Sequence, residues 1–279
     1  MTDFEKEFKA LLGNDAIDIF DSETETEESS YDIPNLFGNE FNFKKINVDI
    51  VMCIDVTASM KSTIDTIKGM ASSFYDDYVT LFAMKRKKFN NFRVKVIAFR
   101  DYYSDGQFAM AESQFFSLPD ETAGFCEYIS ELKAEGGGDG PVSALEAFSL
   151  AMKSDWVRAT SADEQARNII MLFTDAPAHP FEKAEGGVSE FYPDNMFTSF
   201  YELVNLWEGP YGIGDVNLKE EYLMDPNAKR VVIYAPFDLY PWNEILFMTQ
   251  VRTISIESGN GGRELSRQRI LDDTVGGIK

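Results

Sequence analysis

One histidine, His179, and two cysteines, Cys53 and Cys126, are all the imidazole and thiol that these 279 residues contain. The cysteines lie far apart and form no CxxC pair, and Cys53 sits inside an apolar run, as a buried free thiol does. A reducing compartment follows as the expectation. Long apolar runs are missing as well. None approaches the roughly 18 residues of a membrane-spanning helix, and MTDFEKEFKALL lacks a signal-peptide pattern, so the expected location is cytoplasmic with no membrane contact. Basic surplus is absent too: the formal net charge is -21, which argues against gripping a phosphate backbone over any large face.

Much of that charge is local. Residues 1–43 carry twelve Asp or Glu against Lys6 and Lys9, which is -10 of the -21. The stretch DSETETEESS cannot bury enough to fold alone. The flanking FEKEFKALL and YDIPNLFGNEFNF carry apolar and aromatic residues. Residues 1–44 are therefore read as an acidic arm, either solvated or partner-binding. The remainder divides into a main domain over 45–258 and a tail with a short helix over 259–279.

What is present fills a core: 44% hydrophobic residues, 23 of them Phe. From Ile46 strand-like runs alternate with helical spacing, the pattern of a parallel sheet with helical crossovers. INVDIVMCID, FRVKVIAF, NIIMLFTDAP, RVVIYAPF and VRTISIES read as strands. FAMAESQFF follows the second strand so closely that it is expected antiparallel, at one edge. Ile64, Ile67, Ala71, Phe74, Tyr78 and Leu81 recur at helical spacing, predicting one long helix over 59–84, capped by the basic cluster Lys85–Lys88. Further helices are predicted at 119–135, 142–153, 198–208 and 263–273. The predicted fold is doubly wound α/β: a mostly parallel sheet, one antiparallel edge strand, helices on both faces. Trp207 and Trp242 are read as core.

In such a sheet, ligands sit outside the carboxyl ends of the strands. DVTAS after the first strand, RDYYSD after the second and TDAPAHP after NIIMLF all fall there, and GGGDGP can fold over the same edge. Carboxylates at Asp55 and Asp175, with hydroxyls at Thr57 and Ser59, suit a hard cation held by oxygen: Mg2+ first, then Mn2+ or Ca2+. The loops hold no lysine, and neither cysteine is placed as a nucleophile, so no enzyme is expected. His179, between Pro177 and Pro180, reads as a loop residue bonded to backbone rather than a ligand. Asp101 is a candidate for orienting a metal-bound water from behind the ligands, open also to a turn cap or an ion pair. Glu146 is left undecided between site and solvent.

Asp55-Val-Thr57-Ala-Ser59-Met60, with Thr174-Asp175 at a later strand end, resembles the von Willebrand factor A-type domain and its metal-ion-dependent adhesion site. The resemblance spans residues 46–257. It implies a metal held by Asp55, Thr57, Ser59 and Asp175, whose open position takes an acidic side chain of a protein partner. Where that family places a threonine in a G-x-T loop, this chain has Gly136-Gly137-Gly138-Asp139-Gly140-Pro141. Asp139 is thus a weaker ligand candidate. FRDYYSD, GGGDGP, TDAPAHP and AKRVVIYAPFDLYPWNEI look like cytoplasmic-type bacterial A domains, which implies an adaptor among kinases or phosphatases in signalling, stress or defence gene sets. Two alternatives stand beside this: a Mg2+-dependent phosphohydrolase of haloacid-dehalogenase type, for which Thr57 stands where a second aspartate is needed, and an A domain with a degenerate site that binds by its surface alone.

Overall fold

Strand β1, Lys44–Asp55, lies at the centre of the sheet, with β2, Lys87–Phe99, and β5, Glu164–Phe173, parallel on either side. The computed structural model describes residues 44–85, 87–138, 140–159, 164–181, 190–193, 196–209 and 224–276. The acidic arm read over 1–44 lies outside them, apart from Lys44, and so does Asp139. Two further parallel strands, β6 (Lys229–Ala235) and β7 (Val251–Ser255), continue beyond β5. The expected antiparallel edge is present on β2, but it consists of two short strands, β3 (Met110–Glu112) and β4 (Phe116–Ser117). The resulting order is β3-β2-β1-β5-β6-β7, with β4 also on β2.

Alternation along β1 sends side chains to two cores. Ile46, Val48, Ile50, Met52 and Ile54 face α1 (Lys61–Ala71), α2 (Phe74–Met84), α4 (Thr122–Glu131) and α8 (Arg267–Gly276). Val51 and Cys53 face α5 (Ala144–Met152), α6 (Phe200–Glu208) and α7 (Trp242–Ile245). Trp207 and Trp242 are buried in this second core, as the sequence reading placed them, and Cys53 is a free buried thiol. Each fully buried large apolar side chain contributes roughly 1.5–3 kcal/mol relative to exposure, so a central strand covered on both faces is the natural anchor of the fold.

Three local expectations are corrected. The single helix over 59–84 is a 3-10 turn at Ala58–Met60 followed by α1 and α2. Ser73 causes the break: its N–H reaches back three residues to Met70 O, and its hydroxyl meets Asp77 Oδ2 at 3.2 Å. The second strand starts at Lys87 instead of Phe92, so Lys87 and Lys88 pair with Lys44 and Lys45 and do not cap a helix. Lys85 does meet a helix end, that of α8, donating to Val275 O at 2.6 Å. RDYYSD is not an open loop. Tyr102–Asp105 forms a one-turn helix, α3, because Asp101 Oδ1 accepts the Tyr103 N–H at 3.0 Å and caps it.

Candidate metal centre

Chain direction decides where the site lies. From β1 the chain crosses to β2 on one side, and from β5 it proceeds to β6 and β7 on the other. The connections above β1 and β5 therefore diverge and leave a crevice at the carboxyl ends of these two strands. Ile54 pairs with Phe173, so Asp55 and Thr174 emerge side by side.

Asp55 is fully buried and accepts three hydrogen bonds. Its Oδ1 takes the Thr57 N–H at 2.9 Å and the Thr57 hydroxyl at 2.6 Å, while Oδ2 takes the Thr174 hydroxyl at 2.7 Å. Ser59 Oγ lies 3.4 Å from Thr57 Oγ1 and donates to Asp175 Oδ1 at 2.9 Å. The other oxygen of Asp175 accepts the Gly261 N–H at 2.7 Å. Asp55, Thr57, Ser59 and Asp175 are thus brought together as one chain of oxygens, closed at the bottom and exposed at Ser59.

Burial pushes the Asp55 carboxyl up to about 6; the bonds from Thr57 and Thr174 oppose the rise and the neighbouring Asp175 adds to it. Among the described residues no Lys, Arg or His side chain pairs with Asp55 or Asp175. Two converging carboxylates without a cation, beside two hydroxyls, form a donor set that fits a hard divalent ion and not a thiolate- or imidazole-seeking one. Among the described residues no group of three or more His, Cys, Asp or Glu is placed to hold a metal ion; the set here is two carboxylates and two hydroxyls.

The glycine loop closes over this set. Gly136 O accepts the Ala58 N–H at 3.3 Å, and Val56 O accepts the Glu135 N–H at 3.0 Å. At Gly137, where φ is +81°, a Cβ would lie 2.6 Å from Thr57 Cγ2. Only glycine fits there. Its N–H is held by the Asp105 carboxylate, at 3.0 Å from Oδ2.

Asp101 is buried and does not touch the four oxygens. Besides capping α3 it accepts the Ser104 hydroxyl at 2.8 Å and stands 3.1 Å from His179 Nε2. Burial works against its charge, but the close His179 ring and the bonds from Tyr103 and Ser104 outweigh it and hold the carboxyl below its ordinary value. His179 therefore faces a carboxylate, and only its N–H, on Val142 O, is backbone-bonded. Its ring also packs on Tyr103, centroids 4.4 Å apart.

Glu146, undecided from the sequence between site and solvent, faces neither open water nor the four oxygens, and Gly261 went unmarked there. Glu146 on α5 is 2% exposed; Oε1 accepts the Tyr192 hydroxyl at 2.7 Å, and Oε2 has no partner among the described residues. Burial pushes its carboxyl up to about 7. Gly261 was unmarked, although the run Gly259-Asn-Gly-Gly262 just past a strand end was the available signal.

No protein-family model matches the chain. It is 25% identical over 230 residues to the alpha-protein kinase vwkA of Dictyostelium discoideum, covering 75% of this chain and 33% of that protein. The chain thus spans about a third of the length of the curated relative it matches. Among solved structures it is similar to the pilus adhesin SpaC of Lactobacillus rhamnosus GG, at 11% identity and a TM-score of 0.44, covering 83% of this chain and 30% of that one. It is also similar to proximal thread matrix protein 1 of the mussel byssus, at 13% identity and a TM-score of 0.44, covering 84% and 46%. The kinase match corrects one expectation. Lack of a nucleophile or base in three loops does not class the chain as non-enzymatic when its relative is named a protein kinase.

Proposed function

We propose that this chain is a divalent-cation-dependent protein-binding module of the von Willebrand factor A type, acting as an adaptor in a cytoplasmic signalling assembly. The observation that carries the reading is the convergence of Asp55, Thr57, Ser59 and Asp175 at the switch point of the sheet, with Ser59 open to solvent. Bound there, Mg2+ supplies a Lewis-acidic point for an oxygen ligand from outside. Asp55 and Asp175 give the charge that holds it, and Thr57 and Ser59 give neutral oxygens that leave it short of negative ligands. A carboxylate of the partner completes the shell. A partner that is basic around that acid suits the net charge of -21, which repels a broadly acidic one, although -10 of it belongs to residues 1–43. Long-range repulsion fades over about 10 Å at ordinary salt, so a single acidic anchor is tolerated. Two free cysteines accord with a reducing compartment, and no helix among the described residues is long and apolar enough to cross a membrane.

Titration calorimetry with Mg2+, Mn2+ and Ca2+ on wild type and Asp55→Ala tests the metal, and a pull-down with and without chelator tests the partner. Saturable heat in wild type alone supports the reading, and equal responses in the two proteins overturn it.

The match to an alpha-protein kinase favours a second reading, that the chain works in phosphoryl transfer, as a segment of a kinase or bound to one. Incubation with radiolabelled ATP, Mg2+ and a mixed protein substrate tests it. Incorporation that Asp55→Ala abolishes assigns the transfer to this chain; none, with calorimetric Mg2+ binding intact, leaves the adaptor role.

A further inference from the structure

The turn between β7 and α8 reaches back to Asp175 twice: the Gly259 N–H meets its backbone O at 2.9 Å, and Gly261 meets its side chain. Gly261 donates its N–H to Asp175 Oδ2 at 2.7 Å, across 86 positions of sequence. Its carbonyl accepts from both the N–H and the hydroxyl of Thr63, at 3.2 and 2.8 Å. Thr63 is fully buried in the first turn of α1, where a backbone N–H has no partner within its own helix. Gly261 thus ties the end of β5 to the start of α1, which carries the loop of Thr57 and Ser59. The contact leaves no room for a side chain: φ is +65°, and a Cβ would lie 2.2 Å from Ser59 O. Behind the turn, Ile270, Leu271 and Val275 of α8 are buried in the first core and fix its position.

We infer that Gly261 is a positioning residue of the cation site: its amide takes Oδ2 of Asp175 and turns Oδ1 alone toward Ser59, so that Asp175 would offer a bound ion one oxygen. The inference rests on the metal-binding reading and adds to it a residue from the far end of the chain. With Oδ2 occupied by the Gly261 amide, Asp175 would take one coordination position instead of two, which would leave room on a bound ion for an oxygen from outside. Outer partners of ligating carboxylates typically carry this kind of effect.

The test compares Gly261→Ala with Gly209→Ala. Gly209, at the end of α6, has a similar φ of +79° but open space where a Cβ would stand, and its N–H bonds to Asn205 O and not to Asp175, so it supplies the backbone strain without the collision. By Mg2+ calorimetry, Gly261→Ala is expected to bind roughly 10- to 100-fold more weakly than wild type, and Gly209→Ala to match wild type. Equal affinity in Gly261→Ala, or an equal loss in Gly209→Ala, overturns the inference. Amide exchange by NMR without metal supplies an arm free of both folding failure in Gly261→Ala and the metal reading itself. The Gly261 N–H is expected to exchange about tenfold faster in Asp175→Ala than in wild type, the loss of one hydrogen bond to a charged acceptor. No change in Asp175→Ala overturns the inference even if Mg2+ binds. Conversely, faster exchange in Asp175→Ala together with no Mg2+ heat in wild type sinks the metal reading and keeps Gly261 as the residue that holds Asp175.

Discussion

Thr174 gives its hydroxyl hydrogen to Asp55 Oδ2 at 2.7 Å, and both side chains are fully buried. The bond joins the ends of β1 and β5 where the crossover connections part, so the same contact that closes the top of the core also fixes the first carboxylate of the site. Thr174 Oγ1 in turn accepts the Ala176 N–H at 3.2 Å. Thr174→Val keeps shape and removes both bonds, leaving a buried carboxylate oxygen and an N–H unpaired. A loss of about 1–3 kcal/mol is expected, with weaker Mg2+ binding. Thr174→Ser restores the hydroxyl and is expected to recover most of both. Thermal melts and Mg2+ titration of the two variants check this; a valine variant as stable as wild type removes the role.

Asp55 sets function against stability. Its carboxyl, pushed up from an ordinary 3.8 to about 6 by burial, favours the neutral form in the folded state. That stabilisation is complete below the ordinary value and is lost as pH rises through about 6, so at pH 7 the ionised group costs up to about 3 kcal/mol. Asp55→Asn is nearly isosteric and carries no charge. Without metal it is expected to melt higher than wild type at pH 7, and with Mg2+ to show no further shift. A metal-induced rise in the melting temperature of Asp55→Asn equal to that of wild type sinks the assignment.

The apolar runs of β1, β5 and β6 were legible because strands buried on both faces are long and unbroken, and Asp55 and Asp175 were legible because polar residues terminate such runs. The break at Ser73 was not. Periodicity on both sides of it agrees, and only the competition of Ser73 for Met70 O stops the helix. Gly261 was hidden, and Glu146 left undecided, for a different reason. Each matters through contacts with residues far off in sequence, Asp175 and Tyr192, that one-dimensional spacing does not encode. Asp139, the residue on which the glycine loop's ligand was predicted, lies outside the described residues.

The glycine loop offers a paired test. Gly137→Ala forces a Cβ to 2.6 Å from Thr57 Cγ2 at a φ of +81°, whereas a Cβ at Gly140 meets nothing within 4 Å. Left-handed strain and overpacking together cost roughly 2–4 kcal/mol, and they act on a ligand. Gly137→Ala is therefore expected to lower both melting temperature and Mg2+ affinity, and Gly140→Ala to change neither. Equal effects at the two positions, read by melting and calorimetry, contradict the packing of this loop on Thr57.

Midway along β1, Asp49 is fully buried and is gripped by Arg93 through two bonds, at 2.9 and 2.7 Å. It also accepts the Val157 N–H at 2.6 Å. Arg93→Ala leaves the carboxylate buried without its cation, and a loss of about 3–5 kcal/mol is expected. Arg93→Lys presents a point charge where a fork is needed and is expected to recover only part of it. Because this pair lies far from the cation site, Mg2+ affinity at a temperature where both variants are folded is expected to stay at the wild-type value. Calorimetry and urea melts separate the two effects.

Glu146 supplies the pH dependence with the clearest sign. Burial pushes its carboxyl from an ordinary 4.5 up to about 7, opposed by the bond from Tyr192 and by the nearby His179, with Asp101 adding to the rise. The folded state thus binds a proton that the unfolded state releases between these values. The corresponding stability is complete below about 4.5 and is lost as pH rises through about 7. Glu146→Gln keeps an acceptor for the Tyr192 hydroxyl and cannot ionise. It is expected to exceed wild type by up to about 3 kcal/mol at pH 8 and to match it near pH 4.5. Tyr192→Phe removes the side-chain bond that favours the charge, so it is expected to move the midpoint of the effect upward. The many other carboxylates of an acidic chain titrate alike in variant and wild type, which makes the difference between the two melting profiles the quantity to read. A gap between them that stays constant from pH 4.5 to 8 refutes a titrating Glu146.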